Sequence, residues 1–161
     1  MAKVAMGIDI EAPIEEVFNY VADFRNALEW MHDFNQFEPV GDKKQGAGAR
    51  VLAEGRIMGI PFETELEIVE FVENVRITSR SVRGVRSVSH WLFKPTPTGG
   101  TEVCFVAVHH LPGLVLARGP LRRILEKELE LNTEHSLRNL KRTMEARERV
   151  AVVASVGEGT K

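Results

Sequence analysis

Apolar and polar positions along the chain separate into two periodicities. The longest regular pattern runs from Pro120 to about Arg149, with no internal glycine or proline and many strong helix formers. Pro120 suits a first helical turn, where its missing N–H would be unpaired anyway. Leu121, Ile124, Leu125, Leu129, Leu131, Leu137, Leu140 and Met144 fall on one broad face, with Arg123, Lys127, Glu130, Glu134 and Lys141 opposite. At about 100° per residue, Glu128 and Asn132 point into the middle of the apolar stripe and Ser136 lies at its edge. An unpaired buried carboxylate or amide is costly. The pattern therefore predicts a helix facing a cavity, with Glu128 and Asn132 as polar anchors or as partners for the backbone of the Leu111–Gly119 loop.

Upstream, the period is two. Val4, Met6, Ile8 and Ile10 alternate with Ala5, Gly7, Asp9 and Glu11, which predicts a strand with one buried face. Ala12-Pro13 ends it and Pro13 opens a short helix. Glu15 and Glu16 suit the positive end of that helix, and Val17, Phe18 and Val21 face inward. A second short helix is read over Arg25–Trp30 and a strand over Phe34–Val40. A meander of antiparallel strands follows, at Arg50–Met58, Phe62–Glu70, Arg76–Val82, Ser87–Lys94 and Thr101–His109. Their turns fall at Gly59-Ile60-Pro61, Glu73-Asn74, Arg83-Gly84-Val85 and Pro95–Gly100.

The expectation is an α+β fold: a curved antiparallel sheet of about six to seven strands wrapped around a long C-terminal helix, with two short helices after the first strand. Residues 1–149 form a single domain and residues 150–161 a frayed tail. Space between helix and sheet makes a pocket.

Composition narrows the function more than it defines it. A net charge of −2 argues against a general nucleic-acid binder. Cys104 is the only cysteine, so an internal disulfide and a cysteine metal cluster are excluded. His32, His90, His109, His110 and His135 show no ligand spacing, and neither a metal nor another cofactor is expected. No Gly-x-Ser-x-Gly element supports a hydrolase. With no apolar signal core and no membrane-spanning run, a cytoplasmic protein without integral membrane association is expected.

The segment Ile8-x-Ile10-x-Ala12-Pro13-x-x-x-Val17-Phe18-x-x-Val21-x-Asp23, followed by Trp30, resembles the opening of the START-like, or helix-grip (SRPBCC), superfamily. Gly99-Gly100-Thr101-x-Val103 and Leu137-x-x-Leu140-Lys141-x-x-x-Glu145 resemble its later segments, so the likeness spans Val4 to about Arg149. The group includes the birch-pollen allergen family, polyketide cyclase/dehydrases and coenzyme-Q-binding proteins. The resemblance implies a hydrophobic cavity between sheet and C-terminal helix, while fold alone leaves the chemistry open.

Candidate cavity residues are Trp30, Phe62, Leu66, Trp91, Phe93, Phe105, Leu125, Glu128 and Asn132. Trp30 matches a tryptophan that stands near the cavity in relatives, and it also suits a core role at the helix–sheet junction. Relatives carry a similar Trp-x-Phe at Trp91 and Phe93, which implies that this face, with Ser87 and Ser89, points inward and His90 outward. Catalytic candidates are His109, Arg80 and Glu54. His109 has the right proton affinity for acid–base work, or is a solvated strand-end histidine. In the polyketide aromatase/cyclases an inward arginine polarises substrate carbonyls, and Arg80 occupies a comparable place; alternation from Ile77, Ser79 and Ser81 turns it outward. Glu54 shares parity with Leu52, Arg56 and Met58, and is a pocket group or a sheet-edge ion-pair partner.

Three functions follow. The first is binding of a small hydrophobic molecule such as a lipid, quinone or polyketide, by a monomer or homodimer. The second is a polyketide cyclase/dehydrase of the aromatase type, with aldol cyclisation and dehydration. The third is an accessory protein that meets a partner through Glu63, Glu65 and Glu67 or through the basic helix start. There Arg118, Arg122 and Arg123 either dock an acidic carrier protein or form a solvated face.

Overall fold

The computed structural model describes residues 1–110 and 119–159. The apolar loop expected from Leu111, together with Arg118, lies outside the described residues. The strands are β1 (Ala2–Ile10), β2 (Phe34–Val40), β3 (Arg50–Ile57), β4 (Ile60–Val72), β5 (Arg76–Gly84), β6 (Arg86–Pro95) and β7 (Thr101–His110). They form one seven-stranded antiparallel sheet in the order β1-β7-β6-β5-β4-β3-β2. Each strand from β2 to β7 lies beside its sequence neighbour, and β1 joins the far edge against β7.

β4 extends beyond both ends of the expected Phe62–Glu70 strand. It slips register between Glu65 and Leu66 and again between Ile68 and Glu70. Such bulges bend and twist a strand, which curves the sheet. The hairpin before β4 turns at Met58-Gly59 rather than at Gly59-Ile60-Pro61. Met58 (φ 52°) and Gly59 (φ 77°) both take positive φ, as a two-residue hairpin loop requires.

Helix α1 (Ile14–Ala22) lays Val17 and Phe18 on the sheet, where Phe18 meets Phe71 and Phe93 edge-on at 5.2 and 5.1 Å. The second short helix is split into a 3-10 turn, Phe24–Asn26, and a single α-turn, α2 (Ala27–Trp30). Asp23 accepts a hydrogen bond from the Arg25 amide at 3.0 Å, which caps the 3-10 turn.

Helix α3 (Pro120–Glu158) continues as helix past residue 150. Extending a formed helix needs no new nucleus, and no proline interrupts this stretch. Val150, Val152 and Val153 are exposed on it. Its buried seam is narrower than the sequence suggests: Leu125, Leu129, Asn132, Leu137, Leu140 and Met144 are buried, while Leu121, Ile124 and Leu131 are exposed.

α3 runs along β1 in the same direction. Arg122 donates to the Met1 carbonyl at 2.9 Å, Lys141 to the Asp9 carbonyl at 2.6 Å, and Glu145 accepts from the Glu11 amide at 3.1 Å. The spacing fits: roughly 29 Å of helix from Arg122 to Lys141 matches roughly 26 Å of strand from Met1 to Asp9. Ile57, at the end of β3, packs with Ala2, Val4, Leu125 and Leu129. The two flanks of the sheet thus converge on the helix and enclose a space.

Candidate functional site

That space is a cavity of about 170 Å³ between the concave sheet, α2 and α3. Much of its wall is aromatic. Phe24, Phe37, Phe34 and Phe62 follow one another in edge-to-face contacts of 5.8, 5.5 and 5.7 Å. Trp30 meets Trp91 at 5.2 Å and 83°, and Trp91 leans on Phe105 at 4.3 Å. Such pairs hold the rings in fixed orientations.

Several polar side chains on the wall are satisfied within the protein. Ser79 and Ser89 bond each other at 2.7 Å, Thr64 donates to the Arg83 carbonyl at 3.1 Å, and Thr133 donates to the Leu129 carbonyl at 2.8 Å. Two wall atoms differ. Trp30 Nε1 and Asp33 Oδ1 are buried without a hydrogen-bond partner among the described residues.

Asp33 sits in the connector between α2 and β2, which is pinned on two sides. On α3, Ser136 accepts from the His32 amide at 2.9 Å, and Asn139 donates to the Trp30 carbonyl at 3.3 Å. On β3, the Arg56 amide donates to the Asp33 carbonyl at 3.1 Å. Gly55 permits this approach, since a Cβ there would lie 2.1 Å from the Asp33 oxygen. Burial pushes the Asp33 carboxyl up to about 6; the neighbouring Asn132 amide and the charge of His135 oppose this, while the Glu128 charge adds to it. Asp33 also borders a second, more open pocket lined by His32, Arg56, Glu128 and Asn132.

His109 reaches the cavity from β7, opposite Ser87. Burial lowers its proton affinity and the neighbouring His110 adds to the effect, which favours the neutral ring. Strand pairing places the Asp33 and His109 ends of β3 and β7 at the same end of the sheet, on opposite flanks.

Of the residues expected at the site, Trp30, Phe62, Leu66, Trp91, Phe105 and His109 line the cavity. The others do not. Phe93 has the inward orientation but is packed under Phe18 in the solid part of the core. Leu125 packs on Ala2 and Val4. Glu128 and Asn132 turn toward the open pocket, which Asp33 also borders. Arg80 is exposed and pairs with Glu67 at 3.2 Å. Glu54 alternates with the inward Ala53 and Gly55 and lies on the other face of β3. At the basic helix start, Arg122 is engaged by Glu126 at 2.9 Å and by the Met1 carbonyl.

Asp33, Phe34 and Phe37 were not expected. Phe34 and Phe37 both face inward although three residues apart, because β2 slips register between Phe34 and Gln36. Nothing local marks Asp33, whose position depends on contacts with α3 and β3.

A curved seven-stranded sheet gripping a long helix over an internal cavity defines a START-like, helix-grip protein. The chain belongs to the family described as polyketide cyclase/dehydrase and lipid transport, whose model matches residues 1–145. No curated protein matches it by sequence. Among similar solved structures is TTHA0849 from Thermus thermophilus, with a TM-score of 0.79 and 24% identity over 90% of this chain and 98% of that one. A START superfamily protein from Mycobacterium smegmatis matches with a TM-score of 0.68 and 17% identity, over 89% and 97%. Major latex-like protein 151 from Panax ginseng matches with a TM-score of 0.62 and 15% identity, over 90% and 95%. At these identities the likeness is one of fold. Among the described residues, no helix is long and apolar enough to cross a membrane.

Proposed function

We propose that this chain binds a small, mostly apolar molecule between the sheet and α3, and that it does so in the cytoplasm. The observation that carries the reading is the cavity itself: an aromatic wall whose serines and threonines are largely bonded within the protein, so that it offers apolar surface and few free polar groups. Of the family's two described activities, transport of lipid-like molecules asks for such a site. A cyclase would need an acid or base together with a group stabilising a developing oxyanion. Arg80, the cation considered for that task, faces solvent with Glu67, and of His109, Arg80, Glu54 and Glu128 only His109 lines the cavity. The accessory-protein reading is also weaker, because Glu63, Glu65 and Glu67 are already paired with Arg83, Arg50 and Arg80.

Native mass spectrometry of protein purified from its own host, followed by denaturing extraction, tests the reading. A co-purifying apolar compound released on denaturation supports it. A ligand-free mass, with no gain on adding fatty acids, quinones or aromatic polyketides, overturns it.

A further inference from the structure

Asp33 is a poor fit to a merely structural role. Its carbonyl and its connector are firmly held, yet Oδ1 is buried with no partner among the described residues. An acceptor closed off without a partner is costly, and the Asp33 side chain borders the cavity, where a donor supplied by a ligand can approach the carboxylate. Asn132 on α3, only 6% exposed, borders the same open pocket as Asp33. The connector that carries this acceptor is held to α3 through Ser136 and Asn139 and to β3 through the Arg56 amide, as a specificity group needs to be.

We propose that Asp33, on this pinned connector, accepts a hydrogen bond from a hydroxyl group on an otherwise apolar, ring-containing ligand seated against Trp30, Trp91 and Phe62. The proposal rests on the cavity-binding reading and names the polar feature of the ligand. The rings of the wall favour a flat partner that can stack or meet them edge-on. A neutral hydroxyl suits the aromatic, mostly apolar wall better than an ammonium group, whose charge would lose its hydration there. Glu128 and His135 on α3, Arg56 on β3 and His32 on the connector are the charged or titratable groups around this carboxylate. With the carboxyl near 6, it is mostly ionised and accepting at neutral pH and takes up a proton as the solution turns acid.

The test uses 2-naphthol and 2-methoxynaphthalene, which share a ring system and differ in the donor. Each is titrated by fluorescence into wild type, Asp33→Ala and Asp33→Asn, with near-ultraviolet circular dichroism as a check on folding. Wild type is expected to prefer 2-naphthol by about tenfold or more, the worth of a hydrogen bond to a charged acceptor. Asp33→Ala should bring the two within about twofold, and the isosteric Asp33→Asn should leave at most about threefold. The wild-type preference should also shrink between about pH 7 and pH 5. Equal binding of both probes by wild type, or an undiminished preference in both variants, overturns the assignment of Asp33 and leaves the cavity-binding reading standing. Tighter wild-type binding of 2-naphthylmethylammonium than of 2-naphthol overturns the neutral-hydroxyl assignment. Binding of neither naphthalene overturns the cavity-binding reading and this proposal with it.

Discussion

Replacing Asp33 by asparagine should stabilise the protein at neutral pH, although it removes a group the site uses. The folded state raises this carboxyl from 3.8 to about 6. The folded chain therefore binds more protons than the unfolded one between about pH 4 and pH 6, and stability falls as pH rises through that window. Above it, the ionised folded state carries a penalty of roughly 3 kcal/mol if the group is fully shielded. Asp33 is only partly buried, and solvent screening brings the expected gain for Asp33→Asn to about 1–2 kcal/mol. Asparagine keeps the shape of the side chain, so little packing is lost. Urea unfolding at about pH 4 and pH 8 reads the effect. At pH 8 the variant's midpoint should rise by roughly 0.5–1 M, and at pH 4 the two proteins should coincide. A variant that is less stable at pH 8, or equally shifted at both pH values, refutes the claim that a half-buried carboxylate with an unpartnered oxygen lies at residue 33.

Three further outcomes follow from the same geometry. Gly55→Ala should cost roughly 2–3 kcal/mol in urea unfolding, because its Cβ would lie 2.1 Å from the Asp33 carbonyl oxygen; an unchanged midpoint would mean that the connector is not pinned on β3. Glu128→Leu should leave naphthalene affinity unchanged while lowering the Asp33 titration toward the ordinary carboxylate range, as followed by carboxyl-carbon NMR; lost affinity would return Glu128 to the cavity. Burial lowers the proton affinity of His109, so the unfolded chain takes up its proton first and stability is lost as pH falls below the normal histidine range. His109→Gln should remove that component, seen as a shallower loss of urea midpoint on acidification, and an identical acid dependence would place His109 in water.

Much of the architecture was readable because its signals are local and the tertiary structure reinforces them. Phe62, Thr64, Leu66 and Ile68 alternate along β4 and all line the cavity, and Leu125, Leu129, Leu137 and Leu140 keep helical spacing on the buried seam of α3. Alternation reports which face of a strand turns inward; it does not report which part of that face is hollow. Phe93 and Trp91 share a face, yet Phe93 lies under Phe18 and Trp91 at the cavity. Bulges break the rule altogether, as with Phe34 and Phe37. The polar seam of α3 was visible as Asn132, but its meaning was not. Asn132 borders the open pocket beside a carboxylate on a connector distant in sequence, held there by Gly55, Arg56 and Ser136. Glu128, one turn earlier, borders the same pocket.

The chain's two tryptophans both line the cavity, so its two indole N–H signals report on that space directly. Nitrogen-15 NMR during titration with naphthalene is therefore the most direct test that the cavity is the ligand site, with Trp91→Phe to assign the pair. Saturable shifts of both indole signals, at the same midpoint, are the predicted result. Naphthalene that moves only signals of exposed residues, and leaves both indoles in place, would contradict the account.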